Sequence, residues 1–189
     1  MGCCNGKGTP VNSFALVSYL PDRLGSFLDH LRGELVQECS AKAHVTVLPP
    51  RPLHCGPEKA WQLLEQRLQG FQPFVIELGG IEVFPVTQVI YLAITTGHDE
   101  LKRLHSSLNT GQLGFDEPFE YHPHVTLAQD LDPSQVQAVC ERAAAMWREF
   151  SHPRSFVVDR LTFVQNTLEN RWTDLRVMEQ APSYQYRPV

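Results

Sequence analysis

The run His44-Val45-Thr46-Val47 returns later in the chain as His124-Val125-Thr126-Leu127. Side chains two apart on a strand share a face. Read as strands, the two runs each aim an imidazole and a hydroxyl to one side and two aliphatic side chains to the other. Two such strands facing one another would bring two imidazoles and two hydroxyls into one cleft. Imidazole titrates near neutrality, so one ring can take a proton while the other gives one. Threonine hydroxyls can donate to the non-bridging oxygens of a phosphate. His44, Thr46, His124 and Thr126 therefore suit acid–base chemistry at a phosphodiester, and the arrangement requires no metal. A lone histidine in such a run is more often a structural one bonded to backbone; the pairing favours a site.

The elements that must position these residues also repeat. An apolar strand, Phe14-Ala15-Leu16-Val17, and a helix from about Pro21 to Glu38 precede the first motif. Val89 to Ile94 and a helix from about Asp99 to Leu108 precede the second. After the first motif, Gly56-Pro57-Glu58 opens a helix through Trp61, Leu64 and Leu68. After the second, Asp132-Pro133-Ser134 opens one through Val136, Val139, Ala143 and Met146. Proline beside an acidic or capping residue marks a helix start. Strands at Phe74 to Phe84 and Phe156 to Val164 follow. Pro49-Pro50-Arg51-Pro52 reads as a loop. The pattern predicts an α+β fold of two lobes related by an approximate two-fold. Two antiparallel-rich sheets would face each other across a central cleft, with helices outside. A single domain over residues 13–179 is expected, with lobes at about 13–86 and 87–179. Flexible ends are expected at 1–12 and 180–189.

With both motifs in this repeat, the chain resembles the two-histidine phosphoesterase superfamily, which includes the 2′-5′ RNA ligase-like proteins and the RNA 2′,3′-cyclic phosphodiesterases. The resemblance extends over roughly Ser13 to Glu179. It includes the segment Tyr121-His122-Pro123-His124-Val125-Thr126-Leu127-Ala128, the run Leu101 to Leu108, and the closing pair Ser155 to Gln165 and Arg171 to Met178. It implies acid–base catalysis by both histidines and phosphate binding by both threonines. It also implies a metal-independent phosphodiesterase acting on a 2′,3′-cyclic phosphate and leaving a 2′-phosphate. Alternatives are a 2′-5′ oligonucleotide or a cyclic ADP-ribose phosphate as substrate, or a non-catalytic module that binds a nucleotide or RNA end. The chain departs from the resemblance after the second motif. Many ligase-like relatives carry an arginine there, and this chain has Gln129. An amide can hydrogen-bond but cannot neutralise a phosphate, which weighs against tight binding of a terminal phosphate or a long RNA.

Lys42, two before His44, either attracts phosphate or is a solvated strand-end lysine. His122, two before His124, can orient that histidine. A three-histidine zinc site from His44, His122 and His124 is chemically conceivable, but no carboxylate or cysteine is spaced to complete it. No metal and no other cofactor are expected. Base recognition needs an aromatic or arginine platform. Phe84, Tyr91, Phe119, Tyr121 and Trp172 are the candidates, with Tyr121 foremost because it adjoins the second motif.

The net charge of −5 over 189 residues argues against a duplex nucleic-acid binder and for a small nucleotide or a single-stranded RNA end. No apolar run approaches the ~20 residues that span a bilayer, and no leader resembles a secretory signal. Five cysteines without metal or redox spacing suggest a reduced, cytoplasmic protein, expected to be a monomer. Met1-Gly2-Cys3-Cys4 invites an acylation reading, but that motif wants Ser or Thr where Gly6 stands. A flexible end with two surface thiols is the simpler reading.

Overall fold

In the computed structural model, residues 8–36 and 41–180 are described. The first sheet takes β1 (Pro10–Tyr19), β2 (His44–Arg51), β7 (Arg160–Thr167) and β8 (Trp172–Glu179), in the order β2-β1-β7-β8. The second takes β3 (Phe74–Val83), β4 (Ile90–Thr96), β5 (His124–Ala128) and β6 (Ser155–Val158), in the order β5-β4-β3-β6. Every pairing is antiparallel. Four helices complete the α+β fold: α1 (Asp22–Leu35), α2 (Pro57–Arg67), α3 (His98–Leu108) and α4 (Val136–Glu149). Among the described residues no helix is long and apolar enough to cross a membrane.

The core lies between the helices and one face of each sheet. Leu24, Leu28 and Leu31 of α1 fall on one helical stripe, and all three are buried. Trp61 and Leu64 of α2, Leu101 and Leu108 of α3, and Ala143 and Trp147 of α4 present matching stripes. Val45, Val47, Val125 and Leu127 enter the same core, so the aliphatic side of each His-x-Thr strand is fixed by burial. A one-residue slip would turn those side chains toward the cleft. Gly97 begins α3 at φ 84°, and a Cβ there would stand 2.5 Å from the Val75 carbonyl oxygen. Only glycine fits this junction.

Four expectations change. The run from Phe156 to Val164 is not one strand. It breaks at Asp159, and β6 and β7 belong to different sheets. The lobes do not follow the chain halves either: β3 joins β4 of the second half, and β7 joins β1 of the first. Pro49 and Pro50 do not end the first motif strand, which continues to Arg51, opposite Phe14. Successive N–H positions point to opposite sides of a strand, so one proline faces the open side of this edge strand and the other falls at the register shift between Phe14 and Leu16. The ordered chain also begins earlier than expected, with β1 at Pro10. Residues 1–7, 37–40 and 181–189, including Gly2, Cys3 and Cys4, lie outside the described residues.

Candidate active site

The two His-x-Thr strands occupy corresponding places: β2 and β5 each form one edge of a sheet, beside the central strand that precedes it in the chain. β2 and β5 also touch each other, so the two edges meet at the cleft. Both motifs show the same burial. The histidine and threonine are half-buried, while the residues between and after them are buried.

Each imidazole is held by the same local bond. Nδ1 of His44 lies 2.6 Å from the Lys42 carbonyl oxygen, and Nδ1 of His124 lies 2.7 Å from that of His122. A carbonyl only accepts, so both Nδ1 atoms carry hydrogen, and in the neutral rings Nε2 is the unprotonated nitrogen. Burial lowers the pKa of both rings below the ordinary 6.5, against the opposing pull of the carbonyl bond. Nearby Arg32, and then a charge on His124, lower His44 further, while a charge on His122 lowers His124. Helix α1 sets the entrance to the first motif. Asp29 Oδ1 accepts from the Ala43 amide at 2.6 Å, and Arg32 donates to the Ala41 carbonyl at 2.5 Å.

Each histidine also has a tyrosine bound to a carboxylate nearby, which the sequence reading missed. Tyr19, cross-strand from His44, packs edge-on to it with ring centres 6.3 Å apart and donates to Asp174 of β8 at 2.6 Å. Tyr91, cross-strand from Thr126, sits 5.3 Å from the His124 ring and donates to Glu82 of β3 at 2.8 Å. Burial, then the bonded carboxylate, raises both phenols, Tyr91 to about 12. They stay protonated and act as donors at neutral pH. No signal near the motifs marks these pairs: Asp174 comes from a strand distant in sequence, and Glu82 meets Tyr91 only through the register of the β3–β4 hairpin.

The remaining candidates separate. Lys42 is exposed, with Nζ 5.6 Å from the centre of the Tyr19 ring. Gln129 is exposed and bonds its neighbour Asp130 at 3.1 Å. Tyr121 does not stand open as a base platform. Its hydroxyl donates to the Thr46 carbonyl at 2.7 Å, and its ring stacks on buried His105 at 3.9 Å. His105 in turn donates from Nδ1 to the Val47 carbonyl at 2.9 Å. Both contacts tie the approach to the second motif onto the strand of the first. Phe119 is 58% exposed, and Phe84 stacks on Tyr91 at 4.0 Å. Among the described residues no group of three or more His, Cys, Asp or Glu is placed to hold a metal ion.

Known proteins share this architecture. The candidate phosphoesterase BH1439 of Halalkalibacterium halodurans is 25% identical over 142 residues, covering 69% of this chain and 78% of its own. E. coli LigT in its apo form superposes with a TM-score of 0.61 at 19% identity, over 89% of this chain and 97% of that one. LigT complexed with 3′-AMP gives 0.62 at 18%, over 89% and 98%. These structural matches show the fold. The sequence description of the 2′-5′ RNA ligase superfamily matches residues 20–170, a span that holds both His-x-Thr strands. With that span and this fold, the chain belongs to the 2′-5′ RNA ligase superfamily.

Proposed function

We propose that this protein is a metal-independent phosphodiesterase that hydrolyses 2′,3′-cyclic phosphates of nucleotides or single-stranded RNA ends. The observation that carries this reading is the repeated Nδ1-to-carbonyl bond, which leaves two Nε2 atoms as the reactive positions of one cleft. One Nε2, unprotonated, accepts a proton from water as the water oxygen bonds to phosphorus. The other, protonated, gives its proton to the ribose 3′-oxygen as the P–O3′ bond breaks. A 2′-phosphate remains. Thr46 and Thr126 share the face of their histidines and donate to the non-bridging oxygens, whose charge grows in the transition state. LigT has been solved with 3′-AMP and with NADP+, which supports a nucleotide-sized ligand for this fold.

The test is hydrolysis of 2′,3′-cyclic AMP in EDTA, with the product isomer identified. Wild-type protein should release 2′-AMP, and His44→Ala or His124→Ala should lower kcat by about 10²–10⁴-fold while remaining folded. Equal turnover by wild type and both variants would refute the two-histidine mechanism. Turnover of a 2′-5′ dinucleotide or a cyclic ADP-ribose phosphate, with cyclic AMP untouched, would keep the mechanism and replace the substrate. Nucleotide binding without turnover between pH 5 and 9 would identify a binding module instead.

A further inference from the structure

The two flanks of the cleft are not alike. On the first sheet Ala15, Val17 and Val164 form a buried apolar cluster separate from the main core, with Tyr19 and Trp172 packed against it. Val17 lies opposite Thr46 and Tyr19 opposite His44, so this cluster shares the face of the first motif. Ala15 pairs with Val164, and Val164 with Asp174, which continues that face across the sheet to β8. Trp172 stands two residues from Asp174 on the same strand and is half-buried, whereas Trp61 and Trp147 are buried in the core. The indole thus rests on the same small apolar cluster as Tyr19, on the face that carries the first motif, and keeps exposed surface.

The second sheet offers no equivalent. Tyr91 is only 4% exposed and is covered by Phe84. Phe84 is itself engaged by the rings of His122 and His124, with centres 5.2 and 5.0 Å away. A planar ligand would have to displace these contacts.

We infer that the nucleobase of the substrate binds on the first sheet, stacked on Trp172 beside the Tyr19–Asp174 pair. This rests on the proposed phosphodiesterase reading and deepens it. The substrate class becomes nucleobase-bearing phosphoesters, with the base always on the His44 side of the cleft. Base–aromatic stacking tolerates any base because each has a π-face. Lys42 places a cation at the same rim, near the Tyr19 ring, where the anionic part of the nucleotide follows the base.

Two measurements test it. The first is tryptophan fluorescence during titration with 2′-AMP, a probe that needs no turnover. Wild-type emission should be quenched, and Trp172→Phe, which retains Trp61 and Trp147, should show no quench. The second is steady-state hydrolysis of 2′,3′-cyclic AMP. Trp172→Ala should raise KM about tenfold with kcat little changed, and Trp172→Phe should restore KM because a ring remains. An equal quench in Trp172→Phe, or an unchanged KM in Trp172→Ala, overturns the base site while leaving the two-histidine mechanism intact. If wild type shows no turnover, the base site stands or falls on the quench and on the 2′-AMP Kd of Trp172→Ala, which should rise about tenfold.

Discussion

A backbone carbonyl two residues upstream orients each imidazole, so the strand that carries the histidine also sets its tautomer. That bond favours the charged ring, but burial outweighs it and lowers both pKa values. The sign for stability follows. The folded chain prefers neutral His44 and His124 more than the unfolded chain does. Their contribution is therefore fully present above pH 6.5 and is lost as pH falls through the depressed folded values. Urea midpoints should drop between pH 7 and pH 5, and the drop should be smaller in a His44→Gln, His124→Gln double variant. For activity, one ring must be charged and the other neutral, so kcat/KM should trace a bell centred on the acid side of 6.5. A bell centred above pH 7.5 would contradict the burial described above. The shared face of His and Thr in each motif was legible in the sequence because a period of two places them together and the aliphatic residues opposite. Tyr19 and the two carboxylates were not, and Tyr91 was read only as a base platform, since cross-strand neighbours depend on register.

At the scale of elements, the distance between the two motif strands depends on struts behind them. The Tyr121 hydroxyl and the His105 ring nitrogen hold consecutive carbonyls of β2, those of Thr46 and Val47. Below them buried Arg51 pairs with Glu117 and also donates to Asn109 at 2.6 Å. Tyr121→Phe should cost about 1 kcal/mol, the net worth of one hydrogen bond, and should lower kcat because Thr46 loses its backbone anchor. Glu117→Ala should cost about 3–5 kcal/mol by leaving the Arg51 charge buried without its partner. Thermal unfolding of both variants measures this, and an unchanged Tm for Glu117→Ala would show that the ion pair is dispensable. Helix stripes were readable from their apolar spacing, and all four helices appear near their expected places. Strand identity was harder. Pro49-Pro50 imitates a loop but lies in an edge strand. The run from Phe156 to Val164 conceals a change of sheet at Asp159, because both halves are β-rich and only tertiary pairing separates them.

At the scale of the molecule, each half of the chain contributes to the other half's sheet: the first sends β3, and the second sends β7 and β8. β3 crosses to β4, and β7 crosses to β1. Neither half alone can complete a sheet, since removing β7 opens one side of β1 and removing β3 opens one side of β4. Fragments 8–86 and 87–180, produced separately, should lack dispersed amide NMR spectra and should regain them when mixed; a well-dispersed spectrum from either alone would count against this coupling. The duplication was evident from the order of elements, but the exchange was not, because a repeated pattern is identical whether its strands stay at home or cross over.

The same wiring bears on symmetry. A half-length chain that exchanged a strand with a second copy would form a closed homodimer with two identical edge strands at its axis. Joining the copies in one polypeptide keeps that geometry and removes the requirement that both sides match. A nucleotide has no two-fold axis, so a strictly symmetric dimer would meet it with one flank misfitted. In this chain the position two before each histidine is lysine on one side and histidine on the other. An indole on small side chains occupies one flank and a closed Phe84–Tyr91 stack the other. Each flank thus has its own sequence, and the cleft has a direction.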